Sequence, residues 1–378
     1  MFKRKKLYWQ TPFKSVVLSD VPEQQRGQMF DGDAIANFIT GHCRIPCTLV
    51  SFSVGSAFIQ YHMDLANLMQ ENLLPKAAKA LGMHLKCDVS YAKSSVANFS
   101  LIIPREERQI VHLKNVLYTN NFIDMPDFSL STCLGEDMSG NSLCMDIAKA
   151  PHMIISGATG SGKSVLINSI LTGIMHRTAP VRLQMVLIDA KQGVELSAYN
   201  GIPFLRTPVV SGVSGAVQEL SSICRIMDER YKRMNQMGVK DISSTKFPRI
   251  LIVIDELADL MIVSKKEVEQ YIVRIAQIGR ACGVHIIVAT QQPRQEILTG
   301  LIRANIPCKI SLKTASAIDS RISLGHNGAE NLLGSGDALL VHPDNPGEFI
   351  RFQSAYVSTK DILAVCNYWK SKDSRVRI

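Results

Sequence analysis

The chain has 378 residues, of which 46% are hydrophobic and 20% are charged, a composition typical of a folded globular protein with a sizeable core. It contains no run of about 18 uncharged apolar residues, which argues against a membrane span, and its basic start MFKRKKLYWQ is not followed by the apolar segment of a secretory signal. Nine cysteines without a CxxC pair favour reduced thiols and a cytoplasmic protein. The formal net charge of +9 favours an anionic partner, nucleic acid first, although a solvated basic face would give the same charge.

The first elements of the chain are predicted from its apolar runs. Pro46–Tyr61 predicts a strand. Leu65–Leu81 predicts a helix that Pro75 breaks or restarts, because proline lacks a backbone N–H. The stretch His42–Cys47 groups three soft metal ligands, but no second pair has matching spacing, so we expect thiols here rather than a zinc site.

The segment Gly157–Ser164 fits the phosphate-binding pattern G-x-x-x-x-G-K-[ST] in full. The apolar run His152–Ser156 predicts a buried strand before it, and Val165–Met175 predicts a helix after it. In such a loop glycines let backbone N–H groups surround phosphate oxygens, while the helix N-terminus adds partial positive charge. We expect Lys163 to reach the β- and γ-phosphates of ATP and Ser164 to bind Mg²⁺. The predicted nucleotide-binding residues are Gly157, Ala158, Thr159, Gly160, Ser161, Gly162, Lys163, Ser164 and Val165.

A second apolar run ends in two carboxylates. Ile250–Ile254 predicts a buried parallel strand, and Asp255 and Glu256 follow it directly. Because adjacent strand residues point to opposite faces, the two acids can have different roles. We expect Asp255 to bind Mg²⁺, through water, and Glu256 to orient and deprotonate the attacking water. The alternative is a pair of solvated acids at a strand end.

Two further strands alternate with helical patterns. Leu183–Asp189 ends in an acid, and Val284–Thr290 is followed by Gln291, whose side chain is expected to contact the γ-phosphate or the attacking water. His285 lies inside its strand, which favours a packed core histidine over a ligand. One helix carries an apolar stripe formed by Val217, Leu220, Cys224, Met227, Tyr231 and Met234. The alternation predicts an α/β fold with a mostly parallel sheet.

Several sequence blocks recur in the order and spacing of one protein family. They are VELSAYNGIP at 194–203, DELADLM at 255–261, ATQQP at 289–293, TGLIRANIP at 299–307, IDSR at 318–321 and GAENLLGSGD at 328–337. Over about residues 122–370 the chain resembles the FtsK/SpoIIIE family of double-stranded DNA translocases. Upstream, Ile102–Leu113 resembles the end of the family's small α subdomain. Leu134–Asp137 resembles the start of its motor domain, a hairpin before the phosphate-binding loop.

The resemblance implies a RecA-like P-loop NTPase core with a mostly parallel sheet, preceded by a small α+β subdomain. It divides the chain into an N-terminal basic arm at 1–30, the small subdomain at 31–120 and the ATPase motor domain at 121–378. It also implies a homo-hexameric ring that hydrolyses Mg-ATP at subunit interfaces and moves double-stranded DNA through its channel. Contacts to phosphates would make DNA binding independent of sequence and sensitive to salt.

The resemblance assigns roles to several arginines and lysines. Arg280 matches the position of the family's arginine finger, which a neighbouring subunit supplies. Arg321 is a second candidate, for phosphate or DNA, and for both arginines a solvated helix face is the alternative. The expected catalytic residues are Glu256, Lys163, Arg280 and Gln291, and the expected DNA-binding residues are Arg303, Arg321, Arg294 and Lys313.

The chain departs from the family pattern in places, and two other functions stay open. Ala190 stands where the family has proline, which is expected to alter the stiffness of the loop more than its chemistry. Gln292 stands where a basic residue is frequent and Ser316 where a lysine is frequent, so we expect a rearranged or weakened DNA grip. The family's membrane-spanning region and sequence-reading winged-helix domain have no counterpart in the sequence, so we expect movement along DNA whose direction is not set by DNA sequence or is set by a partner. The alternatives are an ATPase that moves a protein cargo in a secretion or conjugation system, and an ATP-switched DNA-binding ring.

Overall fold

A computed structural model describes residues 18–19, 29–93, 97–126, 130–190 and 195–373. Most of the basic arm predicted at 1–30, and the stretch 191–194, lie outside the described residues. The described residues form a four-stranded sheet and a nine-stranded sheet. The division of the chain into the three predicted segments stays a prediction. In this part of the chain no helix has the length and apolar character needed to cross a membrane.

The smaller sheet is antiparallel, with strand order β1-β2-β4-β3. Its elements are α1 (Gly32–Cys43), β1 (Cys47–Val54), β2 (Phe58–Leu65), α2 (Leu74–Leu85), β3 (Ser90–Lys93) and β4 (Asn98–Pro104). The single strand predicted at Pro46–Tyr61 is wrong: a turn in which Gly55 N donates to Phe58 O divides it into a hairpin. The helix predicted from Leu65 begins later, because Leu65 is the last residue of β2. Pro75 lies in the first turn of α2, so a helix starts again at this proline, as expected.

The larger sheet contains the phosphate-binding segment. The first eight elements of this part are α3 (Leu113–Leu117), α4 (Asn120–Ile123), β5 (Ser131–Asp137), β6 (Ser142–Asp146), β7 (His152–Ser156), α5 (Lys163–Arg177), β8 (Leu183–Ile188) and α6 (Val213–Gln236). The later elements are β9 (Arg249–Ile254), α7 (Leu257–Ile278), β10 (Val284–Thr290), α8 (Gly300–Asn305), β11 (Cys308–Leu312), α9 (Ala317–Leu324), β12 (Asp337–Val341), β13 (Phe349–Ser354) and α10 (Thr359–Asp373). The hairpin expected at Leu134–Asp137 is formed by β5 and β6.

The strand order of the larger sheet is β6-β5-β13-β12-β11-β7-β10-β9-β8. The five strands from β11 to β8 are parallel, which agrees with the predicted parallel sheet. The other four strands pair antiparallel and extend the sheet beyond β11. In the parallel part the connection from β7 runs towards β8, whereas the connection from β10 runs in the opposite direction, to β11. Such a change of direction between neighbouring strands opens a crevice beyond their carboxyl ends.

Helices cover both faces of the parallel strands, which explains their uninterrupted apolar runs. One core cluster packs α5 and α10 against the sheet, and the other packs α6 and α7. The stripe predicted on α6 is confirmed as core packing: Leu220, Cys224, Met227 and Met234 are buried, with Val217 and Tyr231 partly buried beside them.

Three histidines of this core are buried, and His285 is packed inside β10 as predicted. Burial, with the charge of Arg280 as a smaller cause, lowers the pKa of His152 to about 4. Burial also lowers the pKa of His176 to about 4. Burial and neighbouring positive groups lower the pKa of His285 to about 3. All three side chains are therefore neutral in the folded protein near pH 7.

These histidines predict a loss of stability in weak acid. In the unfolded chain a histidine binds a proton near pH 6.5, so stability is full above that pH and falls as the pH decreases towards 4. At pH 5 each histidine should cost about 2 kcal/mol. Urea unfolding followed by circular dichroism at pH 7.5 and 5.0 measures this loss. His152→Gln should reduce it and the exposed control His326→Gln should not. Equal unfolding midpoints at the two pH values would contradict the prediction.

Candidate nucleotide-binding site

The phosphate-binding segment joins the carboxyl end of β7 to the first residue of α5, Lys163. Gly160 and Gly162 have φ values of 77° and 106°, a region that favours glycine. At Gly162 a side chain would also collide, because a Cβ atom would lie 2.9 Å from the backbone N of Gly336. The Gly336 N–H donates to the carbonyl of Ser161 at 2.8 Å. The loop before β12, which contains Gly336, therefore packs against the phosphate-binding segment and hydrogen-bonds to it.

Lys163 and Asp255 form a buried ion pair across the site. Lys163 Nζ donates to Asp255 Oδ1 at 3.0 Å and to the Asp255 carbonyl at 2.5 Å. Both side chains are buried. The predicted phosphate-binding lysine and the predicted Mg²⁺ ligand thus lie together at the edge where β7 and β9 end. Because each charge is buried, removing one partner leaves the other unpaired.

Glu256 is held by donors from two elements. It caps the N-terminus of α7, where its Oε1 accepts from Ala258 N at 3.3 Å. The same oxygen accepts from the Thr290 hydroxyl at 2.6 Å, and Oε2 accepts from Gln291 N at 2.9 Å. Thr290 Oγ1 itself accepts from Gln292 N, so its single proton is directed at Glu256. The carboxylate is therefore oriented by the carboxyl end of β10.

Gln291 connects Glu256 to the phosphate-binding segment. Its side-chain Oε1 accepts from the Thr159 hydroxyl at 2.9 Å, while its backbone N–H donates to Glu256. Sequence reasoning assigned no role to Thr290 and no hydroxyl contact to Thr159. For Thr290 a signal was available, since it is the polar residue that ends an otherwise apolar strand. For Thr159 there was none, because its partner lies 132 residues away in the chain.

The residues at this edge fit a magnesium ion bound together with phosphates. Ser164 and Val165 are half-buried in the first turn of α5, and Asp255 is buried nearby at the end of β9. Among the described residues no group of three or more His, Cys, Asp and Glu side chains is arranged to hold a metal. Mg²⁺ is commonly bound by one or two protein oxygens, with waters and substrate phosphates completing the octahedron. A hydroxyl and a carboxylate are suitable for that role.

Arg280 does not join this site in its own chain. It lies exposed in the turn between α7 and β10, where its charge contributes to the lowered pKa of His152. It is therefore at the amino end of β10, whereas Gln291 follows the carboxyl end. At about 3.3 Å per residue the strand separates the two positions by roughly 20 Å. Arg280 therefore lies far from the phosphate-binding segment of its own chain.

The four predicted DNA-binding side chains do not form one cluster. Arg294 and Lys313 are exposed and follow the carboxyl ends of β10 and β11, where the Lys313 carbonyl accepts from Ala158 N at 2.8 Å. Arg303, in α8, precedes the amino end of β11 and is half-buried. Arg321 is exposed in the last turn of α9. Lys313 thus lies beside the phosphate-binding segment, whereas Arg303 lies near the amino end of β11, away from it.

Comparison with known proteins places this site in a family. The profile of the FtsK/SpoIIIE family matches residues 113–246 and 243–295, which include the phosphate-binding segment and the two acids. The chain belongs to the FtsK/SpoIIIE family. It is 43% identical over 279 residues to the DNA translocase FtsK of Caldanaerobacter subterraneus, covering 72% of this chain and 39% of that protein. It is 41% identical over 349 residues to the DNA translocase FtsK of Listeria monocytogenes, covering 85% and 46%. The chain thus spans less than half the length of these curated relatives.

Solved structures share the architecture of this FtsK/SpoIIIE chain. The pCW3 conjugation coupling protein TcpA, solved with ATPgS, matches with a TM-score of 0.63 at 21% identity, covering 92% of this chain and 99% of TcpA. The cytoplasmic domain of the type VII secretion ATPase EccC from Thermomonospora curvata matches with a TM-score of 0.58 at 23% identity, covering 68% and 34%. These likenesses concern the fold, a mixed α/β sheet preceded by a small antiparallel sheet.

Proposed function

We propose that this chain is the motor portion of a double-stranded DNA translocase, with a RecA-like core that hydrolyses Mg-ATP between subunits of a hexameric ring. The observation that carries the proposal is the meeting of Lys163, Asp255, Glu256 and Gln291 beyond the carboxyl ends of three neighbouring strands. A phosphate-binding lysine, a metal ligand, a base and a polar sensor are the groups that ATP hydrolysis needs. Membership of a family whose relatives are named DNA translocases supports DNA as the cargo.

The geometry supports a division of labour in hydrolysis. Backbone N–H groups of Gly157–Ser164 would bind the phosphates, and Lys163 would exchange its contact with Asp255 for the β- and γ-phosphates. Mg²⁺ at Ser164 and Asp255 would neutralise charge on the phosphate oxygens. Glu256 would then accept a proton from the attacking water, held in place by Thr290.

The Thr159–Gln291 contact offers a route from nucleotide to protein motion. Thr159 lies in the phosphate-binding segment, and Gln291 is the first residue of the loop that runs through Arg294 to α8. A γ-phosphate competing for either side chain would break this hydrogen bond. Hydrolysis would thereby change the contacts of Gln291 and, with them, the position of the loop and of α8, which carry the predicted DNA-binding residues Arg294 and Arg303.

ATP hydrolysis is expected to rise several-fold when linear double-stranded DNA is added. Because the DNA contacts are made to phosphates, the stimulation should fall steeply between about 50 and 200 mM salt and should not depend on sequence. Steady-state phosphate release with duplexes of two unrelated sequences, and with single-stranded DNA as the control, measures the effect. A hydrolysis rate indifferent to duplex DNA throughout the salt series would overturn DNA as the cargo.

Replacing Arg280 by alanine is expected to lower kcat by about 10³ or more while nucleotide affinity changes little, because a finger acts on the transition state. Arg274→Ala, on the exposed face of α7, is the matched control. If Arg280 acts on a neighbour's nucleotide, mixing Arg280→Ala with Glu256→Gln protein restores complete interfaces and recovers measurable hydrolysis. A mixture no more active than the sum of its inactive components would contradict action between subunits.

A further inference from the structure

Two cysteines outside the nucleotide site face each other across the β5–β6 hairpin. Cys133 and Cys144 are directly opposite in the strand register, and their Sγ atoms are 3.0 Å apart. Cys133 is fully buried, while Cys144 is half-buried on β6, the edge strand of the nine-stranded sheet. All nine cysteines of the chain are free thiols in this structure.

The backbone geometry of this pair suits a disulfide. Directly opposite residues of an antiparallel pair have Cα atoms about 4.5–5.5 Å apart, inside the range of about 4.4–6.8 Å that a disulfide spans. A register irregularity between Cys133 and Gly135 lies immediately beside the pair. Forming the bond therefore requires rotation of two side chains rather than movement of the strands.

The surroundings of the pair favour a thiolate on the more accessible sulfur. The hydrogen bond from Cys133 lowers the pKa of the Cys144 thiol, and the charge of Arg177 lowers it further. Burial raises the pKa of Cys133, which remains the thiol. Arg177 is held in place because its guanidinium donates to the carbonyls of Phe122, Ile123 and Met125. A positive charge next to a partly exposed thiolate is the setting of a reactive cysteine.

We propose that Cys133 and Cys144 form a peroxide-sensitive dithiol that closes reversibly to a disulfide. The Cys144 thiolate attacks a peroxide oxygen, the O–O bond breaks, and a sulfenic acid forms as hydroxide leaves and takes up a proton to become water. The Cys133 thiol then attacks the Cys144 sulfur, the S–S bond forms, the S–O bond breaks, and the leaving hydroxide takes up the Cys133 proton to become a second water. Two electrons pass from the sulfurs to the peroxide, and a thiol reductant restores both cysteines.

The position of the pair connects it to the phosphate-binding helix. Next to Cys133, the Thr132 hydroxyl donates to the Ile170 carbonyl of α5 at 3.2 Å. A Cβ atom at Gly173 of α5 would lie 3.2 Å from the same hydroxyl, so strand and helix are in close contact. A disulfide would therefore restrict the motion of the β5–β6 hairpin, against which α5 packs.

The test treats the full chain with hydrogen peroxide and then counts thiols under denaturing conditions. We expect two of the nine thiols to disappear, peptide mapping to find Cys133 joined to Cys144, and dithiothreitol to restore both. Thermal unfolding should shift upwards by a few degrees in the oxidised protein, because a closed loop restricts the unfolded chain. Both thiols remaining alkylatable, or either joined to another cysteine, would overturn the proposal.

Single substitutions test the order of the steps. Dimedone, which traps sulfenic acids, should label Cys144 in Cys133→Ser protein after peroxide treatment and should leave Cys133 unlabelled in Cys144→Ser protein. Cys308→Ser is the matched control, since this buried thiol lies elsewhere in the sheet and its loss should leave the Cys133–Cys144 linkage intact. Equal dimedone labelling of Cys133 and Cys144 would overturn Cys144 as the attacking residue.

Discussion

Lys163→Ala protein is expected to lose at least about 10²–10³ in kcat for ATP hydrolysis, with weaker nucleotide binding as well. Lys163 is the buried cation that the structure places beside Asp255 and at the start of α5. Without it, negative charge that develops on the transferred phosphoryl group loses its fixed counter-charge. Phosphate release and binding of a fluorescent ATP analogue measure the two effects separately. Lys265→Ala, an exposed lysine of α7, should change neither.

A second effect of Lys163→Ala must be separated from catalysis. The substitution leaves the buried Asp255 carboxylate without its cation, which is expected to destabilise the protein by about 3 kcal/mol or more. Adding Asp255→Asn removes that unpaired charge, so the double variant should recover stability in urea unfolding. It should not recover hydrolysis. If Lys163→Ala protein hydrolysed ATP at the normal rate while folded, the proposed role of the lysine would be wrong.

Much of the fold was predictable because parallel strands buried on both faces leave a strong trace in the sequence. β10 occupies Val284–Thr290 as predicted, and β9 ends at Ile254, directly before the two acids. Each of these runs is mostly apolar, and polar residues stand at or directly after its carboxyl end. Since carboxyl ends of parallel strands meet at one edge, the meeting of Asp255, Glu256 and Gln291 with the phosphate-binding segment followed from the strands alone.

The contacts that refine the site were not predictable, because they join positions that are distant in the chain. Thr159 and Gln291 meet only after β7 and β10 become neighbours, and Gly336 reaches the phosphate-binding segment from the far side. The hairpin of β1 and β2 was missed for a local reason. Its turn contains the signal Gly55-Ser56, but the apolar residues on both sides of it outweighed that signal in the predicted strand.

The structure ties two predicted roles together through Glu256. The same carboxylate caps α7, whose far end leads to Arg280, and receives Thr290 and Gln291 from β10. Glu256 thus contacts both the start of α7 and the carboxyl end of β10, although α7 is kinked at Ser264 before it leads to Arg280.

Glu256→Gln protein is expected to bind ATP normally and to lose about 10²–10⁴ in kcat. The amide oxygen of glutamine can still accept from Thr290 or Gln291 N, so the cap of α7 and the fold should survive, whereas the amide cannot take a proton from water. Single-turnover hydrolysis separates this loss from slow product release. The variant should therefore hold ATP in stable complexes that wild-type protein turns over.

Thr290→Val provides the comparison that distinguishes positioning from structure. Valine keeps the shape of threonine but removes the proton directed at Glu256, so kcat should fall while KM for ATP stays close to normal. Thr290→Ser keeps the hydroxyl and should recover most of kcat. If valine and serine variants were equally active, the hydrogen bond would have no part in orienting the carboxylate.

If Glu256→Gln protein retained wild-type hydrolysis, Glu256 would not be the base. The attacking water would then have to be activated by another group near the carboxyl end of β10.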